Sequence, residues 1–208
     1  ETVLRNAYLK AKRQMERGAE GNPKAYAIPP YQHDSLTAAK LVEKLLVQGI
    51  QIKRAKKDFI VDGLTYPNGT YIVFLAQPKM GLIKNLLGRT LYPDDAWSRE
   101  GDGTPRRPYD TATDTMAEFM GVRVDPIDSD FKGSFEVITE PPKPVGKVGT
   151  SKFGYIFDGR LNDSFKAVNL LLGKGIKVMR VDEAVTVGDT ILPAGAFVAP
   201  PDSESLLK

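Results

Sequence analysis

An α/β fold, a mostly parallel sheet flanked by helices and built from two β-α-β-hairpin-β repeats, is predicted by three observations. The first is an internal repeat. Tyr26-Ala27-Ile28 is echoed by Tyr155-Ile156-Phe157, and Asp34-Ser35 by Asp163-Ser164. Gly49-Ile50-Gln51-Ile52-Lys53-Arg54 returns as Gly175-Ile176-Lys177-Val178-Met179-Arg180. Tyr66-Pro67-Asn68-Gly69-Thr70-Tyr71-Ile72 returns as Leu192-Pro193-Ala194-Gly195-Ala196-Phe197-Val198. The second copy is shorter by close to one helical turn, which leaves the buried face of its helix nearly in phase. The second observation is a strand pattern followed by a helix pattern and another strand in each copy, which implies parallel pairing through a right-handed crossover. The third is composition. With 208 residues, 41% of them hydrophobic and 26% charged, the chain suits one large or two small globular domains.

The elements follow in order. Thr2 to Arg17 reads as an amphipathic helix with Val3, Leu4, Ala7, Tyr8, Ala11 and Met15 on one stripe and Arg5, Lys10, Lys12 and Arg13 opposite. Gly18 suits its stop, and a loop runs on to Lys24. Tyr26 to Ile28 is a short buried strand, ended by Pro29-Pro30. Asp34 or Ser35 caps a helix whose stripe is Ala38, Leu41, Val42, Leu45 and Leu46. Gly49 stops it, and Ile50 to Arg54 is a strand. Phe59 to Tyr66 is a hairpin turning at Asp62-Gly63, a pair that tolerates positive φ. Pro67-Asn68-Gly69 turns into a strand over Thr70 to Leu75.

Pro78 to Leu87 is a helix built on Met80, Ile83, Leu86 and Leu87. Leu91 to Pro108 is a long Pro-, Gly- and Asp-rich loop, a length that usually marks a functional or mobile segment. Thr111 to Met120 is a short helix closed by Gly121, and Phe135 to Ile138 a strand. In the second copy Gly154 to Phe157 is a strand, and Asn162 or Asp163 caps a helix carrying Phe165, Val168, Leu171 and Leu172. Ile176 to Val181 is a strand, Val187-Gly188-Asp189-Thr190 a hairpin turn, and Ala196 to Ala199 the last strand. This divides the chain into an N-terminal helix and loop (1–24), a first repeat with a loop and helix insertion (25–140), a Pro-rich linker (141–150) and a second repeat (151–208). The two repeats can also form one compact domain.

Several function classes are excluded or disfavoured. Without cysteine there is no disulfide, no thiolate nucleophile and no thiolate metal site. A net charge of +3 is too small to imply a nucleic-acid partner, and Lys53-Arg54-Ala55-Lys56-Lys57 lacks interleaved aromatics and reads as a solvated strand end. The longest apolar run is far short of the ~20 residues of a membrane span. Glu1 opens directly into helix, so the chain is expected to be a segment of a longer protein or a processed form. His33 is the only histidine, whereas zinc or iron sites draw on at least two, so a surface or capping role is expected. No nucleophile elbow and no phosphate-binding loop is present. Asn68-Gly69-Thr70 and Asn162-Asp163-Ser164 match the glycosylation sequon, but a turn and a cap explain them. The one suggestive cluster is Arg106-Arg107-Pro108-Tyr109-Asp110. Arg106, Arg107, Tyr109 and Asp110 stand before a helix and could grip an anion; the simpler reading has Asp110 capping the helix, paired with an arginine, while Tyr109 packs.

Tyr66-Pro67-Asn68-Gly69-Thr70-Tyr71-Ile72-Val73-Phe74-Leu75-Ala76-Gln77-Pro78 resembles a stretch downstream of the catalytic domain in large bacterial zinc carboxypeptidase-like proteins. Leu91-Tyr92-Pro93-Asp94, Arg107-Pro108-Tyr109-Asp110, Met120-Gly121-Val122 and Asn162-Asp163-Ser164-Phe165-Lys166-Ala167-Val168-Asn169 follow in the same order. In that family the catalytic domain resembles carboxypeptidase A, with one zinc on a His-x-x-Glu pair and a distant histidine. None of those residues has a counterpart here. The resemblance therefore implies a non-catalytic accessory domain, with no cofactor of its own and zinc only in a peptidase domain outside this segment. Its partners would be that domain of the same parent chain and peptide or cell-wall substrate, in an exported, periplasmic or extracellular protein. The repeat unit also resembles the fold of class I glutamine amidotransferases, whose chemistry needs a cysteine absent here. A small-ligand or anion-binding module is the second expectation.

Overall fold

The computed structural model describes residues 1–90, 94–107 and 114–207. The chain runs α1 (Thr2–Glu20), β1 (Ala25–Ile28), α2 (Ser35–Val47), β2 (Ile52–Ala55), β3 (Phe59–Val61), β4 (Leu64–Tyr66), β5 (Tyr71–Phe74), α3 (Met80–Leu87), α4 (Met116–Phe119), β6 (Asp125–Ile127) and β7 (Phe135–Ile138). It continues through β8 (Tyr155–Phe157), α5 (Asn162–Gly173), β9 (Met179–Arg180), β10 (Val185–Val187), β11 (Thr190–Leu192), β12 (Phe197–Ala199) and α6 (Glu204–Leu207). Two compact units form, and they do not follow the order of the chain. The first is Glu1–Pro30 with Leu46–Thr139; the second is Tyr31–Leu45, which carries α2 up to Leu45, with Glu140–Lys208.

The expected mostly parallel sheet is not what forms. The first unit holds a five-stranded sheet in the order β6-β1-β5-β2-β7, and every pairing in it is antiparallel. β1 and β2 do run the same way, since both oppose β5, but β5 lies between them. The reason lies downstream of the crossover. After β2 the chain makes the β3–β4 hairpin and the Pro67–Thr70 turn, which send it back antiparallel to β2. β5 has fully buried Ile72 and Val73, so its central place satisfies its backbone on both sides while covering both faces.

The second unit repeats the arrangement with β12 between β8 and β9, again antiparallel throughout. The registers coincide. Tyr26 faces Val73 as Tyr155 faces Ala199, and Arg54 faces Tyr71 as Arg180 faces Phe197. Phe59 faces Tyr66 as Val185 faces Leu192. The Gly69 N–H donates to the Ala55 carbonyl and that of Gly195 to Val181. Gly69 and Gly195 adopt φ of 89° and 97°, which a side chain would strain.

What differs is the cover. In the first unit Phe59, Val61 and Tyr66 of the hairpin pack on Ala25, Ala27, Ala55 and Ile72, joined by Phe74, Phe131 and Phe135. Phe59 stacks on Tyr66 and Phe131 and meets Phe135 edge-on, all within 5.2–5.4 Å. β6 carries Pro126 and therefore sits at a sheet edge, where a missing N–H costs no ladder bond. The second unit has a three-stranded sheet with no described strand on the outer edges of β8 and β9. Its hairpin is correspondingly open: Val187 is 47% exposed where its counterpart Val61 is 6% exposed.

Candidate functional site

Four polar or exposed features were candidates for chemistry. The first is the arginine cluster. Arg106 is exposed, its N–H bonds the Ser98 carbonyl, and its guanidinium pairs with Glu100 at 3.2 Å. Arg107 is exposed as well. Tyr109 and Asp110 lie outside the described residues. Residues 94–107 fold on themselves: Arg99 forks onto Asp94 at 2.7 and 2.8 Å and donates to the Gly103 carbonyl. The start of the helix expected from Thr111 lies outside the described residues, and the described helix α4 begins at Met116. Its cap is Thr115, in a reciprocal box with Glu118, which also accepts from Thr90. The described helix is four residues long, and its cap is filled by Thr115 and Glu118.

The second feature is a buried carboxylate where two helices begin. Asp34, 7% exposed, accepts from the Thr37 N–H at 2.9 Å and the Thr37 hydroxyl at 2.7 Å, capping α2. The oxygen that takes the Thr37 hydroxyl, Oδ2, also accepts from the Asn162 N–H at 2.9 Å, at the first residue of α5. The Asn162 amide donates to Thr37 Oγ1, and Lys40 pairs with Asp163 at 2.7 Å. Neither Asn162 nor Asp163 caps α5 through its own side chain, because α5 takes its cap from Asp34 across space. Burial alone would raise the Asp34 carboxyl. The bonds from Asn162, Thr37 and Leu36 outweigh it and hold the group below the ordinary carboxylate range. A carboxylate so saturated is a latch, not a general base. Exposed His33 lies near Asp158, whose carboxyl is held down mainly by the Arg160 guanidinium at 2.6 Å.

The third feature surrounds Tyr66. Its ring is buried in the first unit's core, while its hydroxyl donates to Asp125, which also receives Arg123 at 2.7 and 3.0 Å. Burial, followed by the charge and hydrogen bond of Asp125, pushes the phenol up to about 12. The folded value is raised, so this contribution is complete below about pH 10 and is lost as pH rises through about 12. Tyr66→Phe is expected to cost about 1 kcal/mol at neutral pH, the worth of one hydrogen bond, with the difference vanishing at the alkaline end. Urea titrations at pH 7 and above pH 11 measure it; an unchanged gap would refute the assignment.

The fourth is α1. Gln14 Oε1 accepts from the Gly81 N–H at 2.6 Å, and Gly18 lies against the Leu75 backbone. The same helix face continues toward the N-terminus through half-buried Ala11 to Tyr8, Leu4 and Val3, which are exposed among the described residues. Val3 is 80%, Leu4 77% and Tyr8 67% exposed. Periodicity correctly marks this face as apolar and has no means of telling that its first turns remain in water.

These features define a class: a two-unit, internally repeated, antiparallel α/β protein whose described polar clusters brace the fold. Among the described residues no group of three or more His, Cys, Asp or Glu is placed to hold a metal, and no helix is long and apolar enough to cross a membrane. The zinc cage of the family resembled does not fit this chain, where His33 is the sole imidazole. No protein family, no curated protein and no solved structure matches the chain.

Proposed function

We propose that the chain is a non-catalytic accessory domain of a zinc carboxypeptidase-like protein, which packs on a peptidase domain outside this segment or presents peptide to it. The observation that carries the reading is the uncovered stripe of α1. Val3, Leu4 and Tyr8 extend a packed helix face and are uncovered among the described residues, and contiguous apolar surface of this kind marks an interaction site.

The residues that carry the resemblance have structural roles. In Tyr66-Pro67-Asn68-Gly69-Thr70, the Pro67 carbonyl accepts from the Thr70 hydroxyl at 2.7 Å, and the Asn68 N–H donates to Asp58 at 2.7 Å. Gln77 ties the end of the run to both the N–H and the carbonyl of Gln51. The segment is a brace between strands, and its polar groups are occupied by the fold. In this reading the zinc, and the bond cleavage it supports, belong to the neighbouring domain.

The parent gene tests it directly. A coding region upstream of Glu1 is expected to contain a His-x-x-Glu pair and a later histidine, and a region without them removes the proposal. The separately made peptidase domain should co-elute with this chain, and the Leu4→Asp, Tyr8→Asp double variant should weaken that association about tenfold or more.

A further inference from the structure

We propose that the open edge of β9 is a binding site for an extended peptide, which adds to the second unit as the antiparallel strand that β7 supplies in the first. This rests on the accessory-domain reading only in taking the peptide to be the peptidase's substrate. The argument is internal to the chain. β7 pairs with β2 so that Phe135 faces Ala55, Glu136 faces Arg54, Val137 faces Lys53 and Ile138 faces Ile52. The counterparts of those β2 residues are Val181, Arg180, Met179 and Val178, as the coincident registers of β5 and β12 establish. No described strand pairs with the outer edge of β9.

The surface that β7 and its aromatics cover in the first unit is exposed in the second. Met179 is 57% exposed, and the inward residue of the hairpin, Val187, is nearly half exposed. Phe135 sits edge-on to Phe59, so an aromatic residue facing Val181 would fill the space over Val185, the counterpart of Phe59. Charge narrows the class further. Arg180 is exposed on this edge, beside exposed Asp182 and Glu183, and Glu136 stands opposite Arg54, the counterpart of Arg180, in the first copy. The favoured peptide is therefore aromatic, acidic, apolar, apolar in successive positions. Main-chain bonds would supply the affinity and alternate side chains the selection.

The hydrogen-bond pattern names the donors. The Ala55 N–H points inward to Thr70, and the next one, Lys56, points outward to the Ser134 carbonyl. In the second copy the Val181 N–H points inward to Ala196, so the next N–H, that of Asp182, is the outward donor. Proline at an outward edge position spares the sheet and removes the donor.

The probe is a fluorescent peptide of the chain's own residues 131–139, Phe-Lys-Gly-Ser-Phe-Glu-Val-Ile-Thr, with a scrambled control, followed by anisotropy against the intact chain. Saturable binding of the probe but not the control is expected. Asp182→Pro should weaken it about tenfold with an unchanged melting temperature, the loss of one main-chain bond. Arg180→Glu should also weaken it, and a peptide with Lys in place of the Glu should restore it. Amide exchange should slow at Met179–Asp182. Equal binding by Asp182→Pro and Arg180→Glu, protection at Ile52–Lys56 instead, no saturable binding, or self-association through the β9 edge would each overturn the proposal. Peptide binding in a parent without a peptidase domain would sink the accessory-domain reading alone, whereas a genuine peptidase neighbour with variant-insensitive binding would sink only the edge site.

Discussion

Gly18→Ala is expected to destabilise the first unit by about 3 kcal/mol, although alanine in a helix interior normally stabilises by about 1 kcal/mol. A Cβ built on Gly18 would stand 2.0 Å from the Leu75 carbonyl oxygen and 2.4 Å from its carbon. Both are backbone atoms at the end of the central strand, and the Leu75 N–H is itself bonded to the Lys24 carbonyl. Neither side can yield without lifting α1 off β5 or breaking the strand's connection. Gly81→Ala is the control, because its Cβ would meet only the end of the Gln14 side chain at 3.2 Å. It should stay within about 1 kcal/mol of the parent. Urea unfolding followed by circular dichroism measures both. Limited proteolysis should then cut α1 in the Gly18 variant first. A Gly18→Ala chain as stable as the parent would show that α1 does not dock on β5.

Asp34→Ala is expected to cost about 3 kcal/mol, more than an ordinary N-cap, because one carboxylate serves two helices. Its removal leaves the Thr37 and Asn162 N–H groups without their acceptor at a buried site. Asp34→Asn keeps one oxygen and should lose about half as much. The sign with pH follows from the depressed carboxyl. The contribution is complete above about pH 4, the unfolded value, and is lost as pH falls through the lower folded value. The gap between parent and Asp34→Ala should therefore be widest at neutral pH and narrow in acid. Lys40→Ala removes a half-exposed ion pair with Asp163 and should change stability by no more than about 0.5 kcal/mol. An effect of Lys40→Ala equal to that of Asp34→Ala would mean that the ion pair, not the double cap, joins α2 to α5.

The candidate site was only partly legible in the sequence. Asp34 is recognisable as a cap from its place before an apolar helical stripe, because capping is a local interaction within three residues. That the same carboxylate caps α5 depends on Asn162 arriving from far along the chain, which no local pattern encodes. An anion site at Arg106 and Arg107 calls for a helix opening just after Asp110, a stretch outside the described residues. Thr115-x-x-Glu118 is a capping box in plain sequence and marks the start of α4. The stripe of α1 was visible as an amphipathic face, but amphipathicity says which side is apolar and not whether anything covers it.

By itself the sequence determined the repeat, the turns at Asp62-Gly63, Gly69 and Gly195, and the alternation of helix and strand, because these depend on backbone preference and short-range periodicity. Only the tertiary structure decided which strands are neighbours. Strand pairing is made by hydrogen bonds between residues distant in the chain, and a strand–helix–strand pattern leaves room for a third strand between the other two. β5 and β12 took that room, turning an expected parallel sheet into an antiparallel one. The presence of β7 beside β2, with no described strand beside β9, was likewise decided at that level, since an edge is defined by what does not pair with it.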